Sequence, residues 1–314
     1  MDMHQKRKMR QEKKNDSNNN NNNISENVSV NWFPGHMAKT RRLIKESLPF
    51  VDLVTEIVDA RIPYSSSNPE LNAIIGKKPK IVLLNKCDIA DDKATAKWVE
   101  YYKSLGVFAL PVDCRSGKGL NAYLPLVKNV LKDKIERNRE KGMAGKPLRV
   151  MVVGIPNTGK SSFINRMAGK NRAKVADKAG VTRSNSWFAV GNGIELLDTP
   201  GVLWPKFDDP AVGERLAFIG SVKDEILDSE AIALRLIDSL KTDYKERLEE
   251  RYKISDFGDL QSYEILEMIA RKRGMLISGG EADFERASVM LLDEYRGGKL
   301  GKLSLETPKE LNNA

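Results

Sequence analysis

Gly154 and Gly159 frame four residues and are followed at once by Lys160 and Ser161. Glycines at this spacing allow a backbone path that turns several N–H groups inward, which suits a phosphate chain. The lysine adds a positive charge there, and the serine hydroxyl offers an oxygen to Mg2+. Asn157, Thr158, Gly159, Lys160, Ser161 and Ser162 are therefore expected to line phosphates, with Lys160 also offsetting charge that develops in phosphoryl transfer. Such a loop needs an apolar strand before it and a helix after it. Arg149 to Val153 and Ser162 to Met167 read as these. A second constellation, Asn85, Lys86 and Asp88, suits a purine. A carboxylate accepts together from N1–H and the exocyclic amine of guanine, whereas adenine offers an unprotonated N1 and no amine, so Asp88 would select guanine. Lys86 is expected to lay its alkyl stem over the ring. Cys114 and Arg115, after the next apolar run, stand where a backbone N–H would meet guanine O6.

Two more groups follow the phosphate loop. Thr182 has a hydroxyl suited to completing a Mg2+ shell when a γ-phosphate is present, in a segment that would order with the triphosphate. Asp198 ends an apolar run and would reach the cation through water, and Gly201 would sense the γ-phosphate through its N–H. The residue after Gly201 is Val202, which cannot polarise an attacking water. The order of the motifs is unusual. In ordinary GTPases the base-reading motif follows the phosphate loop, whereas here Asn85 precedes Gly154 and no second Asn-Lys-x-Asp comes after it. Motifs that must converge on one nucleotide, written in swapped order, imply a circularly permuted P-loop GTPase domain.

The elements that must position these residues are legible as periodicity. Leu53 to Val58, Lys80 to Leu84, Val107 to Leu110 and Leu148 to Val153 read as short buried strands, each brief and rich in β-branched residues. Helical stretches lie between them, around Lys39 to Ser47, Ala94 to Leu105 and Leu124 to Glu140. This alternation predicts an α/β domain over residues 30–205, a mostly parallel sheet with helices on both faces. Trp187 to Val190 and Ile194 to Leu197 flank Gly191, Asn192 and Gly193 and predict a hairpin. From 206 to 298 the apolar positions recur at helical spacing (Leu234, Ile237, Leu240; Ile265, Leu266, Ile269; Phe284, Leu291, Tyr295), which predicts a small all-helical C-terminal domain stopped by Gly297 and Gly298. Because this region directly follows the Asp198 to Gly201 segment, movement there is expected to pass to it. Residues 299–314 read as a polar tail. Residues 1–29, with six basic side chains between Lys6 and Lys14 and an asparagine run from Asn18 to Asn23, have nothing to bury and are expected to be disordered.

Bulk properties narrow the class. The 314 residues are 40% apolar, enough for a real core. No apolar run approaches the roughly 18 residues that span a bilayer, and the N-terminus lacks an apolar signal core, so a cytoplasmic protein is expected. Two cysteines and two histidines (Cys87, Cys114, His4, His36) exclude a disulfide framework and a zinc cluster. Trp98, Tyr101 and Tyr102 read as packing residues, and the two cysteines as buried thiols. A net charge of +9 favours a polyanionic partner.

Asn31 to Lys39, Asp59 to Pro63, Asn85 to Asp88 and Gly154 to Ser161 together resemble the YlqF/YawG class of circularly permuted GTPases. The likeness runs from Asn31 to about Trp204, and the helical part agrees in size and type. The asparagine-rich extension departs from it. The resemblance implies GTP and GDP as ligands, with Mg2+, and a factor that binds the large ribosomal subunit late in its assembly, hydrolyses GTP in response and leaves. It implies that the helical part contacts ribosomal RNA, for which Arg271 to Arg273 are suited, and that His36 is catalytic, positioning or deprotonating water. Asn157 matches the asparagine that helps coordinate K+ in potassium-activated GTPases. A monomer is expected. The competing reading is a nucleotide-gated RNA-binding scaffold in which hydrolysis is incidental.

Overall fold

The computed structural model describes residues 34–169, 174–175, 186–201, 209–222 and 228–308, with residues 34–39, 174–175 and 186 described by backbone alone. The extension 1–29 and Thr182 lie outside them. In chain order the elements are α1 (Pro34–Ser47), β1 (Leu53–Asp59), α2 (Pro69–Ile75), β2 (Lys80–Asn85), α3 (Asp92–Ser104), β3 (Phe108–Val112), α4 (Tyr123–Val130), α5 (Lys132–Glu140), β4 (Leu148–Val153), α6 (Lys160–Ala168), β5 (Lys174–Val175), β6 (Ser186–Ala189) and β7 (Ile194–Asp198). Five further helices follow, α7 (Pro210–Phe218), α8 (Ser229–Asp243), α9 (Lys245–Tyr252), α10 (Ser262–Lys272) and α11 (Phe284–Arg296).

The seven strands form one sheet in the order β3-β2-β1-β4-β7-β6-β5. From β3 to β7 all pairings are parallel, and β6 and β5 are antiparallel additions at one edge. Parallel strands are covered on both faces and read as continuous apolar runs. Thus β1 is buried along its whole length. Leu53 and Ile57 face a cluster with Tyr123, Val127, Phe163 and Ile164 from α4 and α6. On the opposite face Val54 packs with Ile44, Leu71 and Ile75 from α1 and α2, and Val58 packs with Trp98 and Tyr102 from α3. Parallel register brings the carboxyl ends of β1 and β2 level, Asp59 beside Asn85, and pairs Val152 near the end of β4 with Asp198 at the end of β7. The loops that leave these strands share one edge, where open α/β sheets bind ligands. Strand adjacency therefore reunites what the chain order separates.

Several sequence expectations shift. β3 extends to Val112 because it is an edge strand, where Pro111 costs no ladder bond. The helix expected over 124–140 is two, broken at Leu131. Helix α2 was missed: Asn68 caps it by accepting from Glu70 N, with Pro69 at its first position. α1 begins at Pro34 rather than near Lys39, which places the backbone of His36 in its first turn. The hairpin forms as expected, with Gly191, Asn192 and Gly193 all at positive φ.

Helices α7 to α11 share one core with Ile62 and Ile155, which come from the loops after β1 and β4. The expected tail is corrected over its described part. Leu300, Leu303, Ser304 and Glu306 are buried, Leu303 N–H donates to Ile89 O, and Leu305 N–H to Arg61 O. Glu306 accepts from the N–H groups of Tyr64 and Ser65 and its carbonyl accepts from Trp98 Nε1. Residues 299–308 thus form a strap that runs back onto the α/β region. Among the described residues no helix is long and apolar enough to cross a membrane.

Candidate functional site

β4 delivers Gly154 to Gly159 to the sheet edge, and α6 starts at Lys160, so the free N–H groups of its first turn face the same space. Gly159 lies at φ +100, and a Cβ there would come within 2.1 Å of Asn85 Nδ2. Only glycine fits this approach. Asn85 is buried and ties three loops together: its Nδ2 donates to Thr158 O at 2.6 Å, and its Oδ1 accepts from Cys114 N at 2.9 Å. The base-reading and phosphate motifs therefore touch.

Lys160 is buried beside Gly201, whose added Cβ would lie 2.9 Å from Lys160 Nζ. Burial lowers the pKa of the Lys160 ammonium, with Asp198 opposing, and burial raises that of Asp198, with Lys160 opposing. Each charge is the other's partial compensation in a site withdrawn from water. Thr199 Oγ1 donates to Val152 O at 2.7 Å and pins the strand end. Ser161 and Ser162 are exposed on the first turn of α6. Thr182 and Val202 lie outside the described residues, and so does the side chain of His36.

On the base side, Asp88 is exposed. Lys86 adopts φ +62 and pairs through Nζ with Asp59 Oδ2 at 2.9 Å. The amides of Cys114 and Arg115, expected to meet guanine O6, donate here to Asn85 Oδ1 and to Asp113 Oδ1 at 2.8 Å. Asp113 closes its own loop by also accepting from Ser116 N at 3.0 Å, an Asx-type turn. Asn157 likewise has an internal partner, its Nδ2 donating to Gly220 O. Ser221 Oγ donates to Pro156 O at 2.7 Å, so the outer side of the phosphate loop rests on the segment after α7.

Sequence reasoning missed the support behind the base loop. Asp59 and Arg61 are fully buried, and Arg61 holds the carboxylate with both Nε and Nη2 at 2.9 Å. Burial alone would raise the Asp59 pKa, but Arg61 and Lys86 outweigh it and hold the carboxyl well below the usual range. Opposite charges two residues apart at the end of a mostly apolar strand are the signal that could have exposed this pair.

A family model described as "50S ribosome-binding GTPase" matches residues 149–269. The chain is 44% identical over 281 residues to ribosome biogenesis GTPase A of Bacillus cereus, covering 90% of this chain and 95% of that protein. It is 45% identical over 285 residues to the protein of that name from Priestia megaterium, covering 90% and 98%. Among solved structures, GDP-bound YlqF ("TM YlqF") is similar with a TM-score of 0.59 at 33% identity over 85% of this chain and 99% of that one. GNP-bound YlqF from T. maritima has the same score and identity over 86% and 99%.

Proposed function

The chain belongs to the ribosome biogenesis GTPase A family, and from that premise we propose that this GTPase acts late in assembly of the large ribosomal subunit, hydrolyses GTP in response to the particle and then leaves. The observation that carries the reading is the contact of Asn85 with Thr158 and Cys114, which makes one pocket of loops that the chain writes in reversed order. The helical region that backs the same phosphate loop through Ser221 gives the particle a route to it.

Under this reading Asn157, Thr158, Gly159, Lys160, Ser161 and Ser162 hold the phosphates, and Asn85, Lys86 and Asp88 hold guanine, Asp88 by direct acceptance. Mg2+ fits the residues available. The Ser161 hydroxyl and the Asp198 carboxylate are oxygen donors of the kind this cation takes, with Thr182 as a third. When bound, the cation offsets charge on the phosphate oxygens. Lys160, shielded from water, acts on the transferred phosphoryl group more strongly than it would in solvent. Val202 cannot orient water; the family resemblance gives that role to His36, an imidazole able to hold or take its proton near neutral pH. Arg271, Lys272 and Arg273, at the end of α10, are placed against ribosomal RNA. The protein works as a cytoplasmic monomer.

The test is multiple-turnover GTP hydrolysis with and without purified large ribosomal subunits. A rise of at least about tenfold is expected, well within the range by which partners accelerate GTPases. A flat rate favours the scaffold reading, in which hydrolysis is incidental. Asn157 suits a K+ ion beside the phosphates once Gly220 O is released, so replacing K+ by Na+ should slow turnover. Equal rates would remove the cation from the account.

A further inference from the structure

Behind the base-reading loop, buried charges lead from Lys86 into the helical region. Asp59 ends β1 beside Asn85 and binds two cations at once: Lys86 Nζ at 2.9 Å and the Arg61 fork, also at 2.9 Å. The remaining arm of Arg61, Nη1, donates to the carbonyl of Tyr295 in the last turn of α11 at 2.7 Å, and its guanidinium lies 4.5 Å from the Tyr295 ring centre. Leu305 N–H of the strap donates to Arg61 O at 2.9 Å. Lys86 itself sits at φ +62, a backbone state that a non-glycine residue keeps only when its surroundings over-determine it. With the ammonium tethered to Asp59, the stem of Lys86 is the part left to face a ring.

The far end of the same loop is fixed by the strap. Leu303 N–H donates to Ile89 O at 3.2 Å, and Asp91 N–H to Ser304 Oγ at 3.1 Å.

We propose that Arg61 is a positioning residue for guanine-nucleotide binding, joining α11 and the strap to Lys86 through the shared Asp59 carboxylate, so that the placement of the helical region sets the affinity for the nucleotide. This rests on the reading of Asn85 to Asp88 as the guanine loop. A lysine at position 61 keeps the charge but cannot fork onto Asp59 and reach Tyr295 O together. The proposal therefore predicts a coupling between positions 61 and 86.

The test is a double-mutant cycle on the full chain, with GDP affinity read by a fluorescent GDP analogue and folding checked by thermal melting. Arg61→Lys should weaken binding about tenfold, and the same change in a Lys86→Met background should weaken it no further. A role in folding alone would lower the melting temperature and leave affinity intact, and that result would overturn the proposal. Losses that multiply independently would overturn it too. Should Arg61→Lys not fold, Asp59→Asn, which keeps the side chain's size but removes the counter-charge of Lys86, carries the same comparison. Absence of GDP binding by the unmodified protein would instead sink the reading of the site itself, and the relay with it.

Discussion

Replacing Asn85 by aspartate changes one group and leaves the side chain's shape alone. Asn85 bonds in both directions, to Thr158 O as donor and from Cys114 N as acceptor. Aspartate keeps the acceptor but sets an oxygen against the Thr158 carbonyl. Orphaning a buried carbonyl costs about 1–3 kcal/mol, and a buried charge without a counter-ion brings the total to about 3–5 kcal/mol at neutral pH. Each kcal/mol lowers the melting temperature of a unit of this size by about 2–4 °C, so Asn85→Asp should melt about 10 °C below the wild type at pH 8, measured by scanning fluorimetry without nucleotide. Protonation restores an O–H that can donate to Thr158 O. Folding therefore raises the pKa of the new carboxyl above its unfolded value of about 3.9. A group that holds its proton more tightly when folded loses stability as pH climbs from the unfolded pKa through the folded one. The deficit should be small near pH 4 and grow toward pH 8, whereas Asn85→Ala, with no titrating atom, should show a deficit that does not vary with pH. An equally flat profile for Asn85→Asp, or no deficit at all, would refute the reasoning.

Two further outcomes follow from burial and close approach. Gly298 has φ +74, and an added Cβ would come within 2.3 Å of Ile89 Cγ2, whereas Gly274, at φ +65, has open space. Gly298→Ala should cost about 1–3 kcal/mol beyond the backbone strain that Gly274→Ala also carries; equal melting temperatures for the two variants would count against the packing of the strap. Cys114 is buried and burial pushes its thiol up to about 12, with Cys87 also raised by burial. Iodoacetamide at pH 8 should leave both thiols intact in the folded protein and alkylate both in guanidinium, as read by mass spectrometry; rapid labelling of folded Cys114 would contradict its placement.

What the sequence disclosed and what it hid differ for physical reasons. β1, β2 and β4 are covered on both faces, so their sequences are dominated by apolar residues and plain to read. β3 carries Pro111, which mimics a strand end, and α2 is too short for periodicity to register. The convergence of the two motifs was legible from their reversed order, because a guanine nucleotide needs both. The partners of Asn85 were not, since they follow from the parallel register of strands far apart along the chain. The partners of the Cys114 and Arg115 amides turned on two side chains, Asn85 for the first and Asp113, which closes its own loop, for the second. The strap left only a faint signature: Leu303 and Leu305 alternate with polar residues over too short a stretch to declare an extended segment, and Glu306 is buried only because Ser65, Tyr64 and Arg215 await it.

The strap also dictates a timetable. Synthesis proceeds from the N-terminus, so β1 and β2 exist while most of the polypeptide is still unmade, and residues 299–308 are translated on the order of tens of seconds later. Until then Arg61 lacks the Tyr295 carbonyl, and the Ile89 carbonyl lacks the Leu303 N–H. A nascent chain therefore carries both halves of its pocket well before it can set them firmly, and only a finished molecule presents the completed seat.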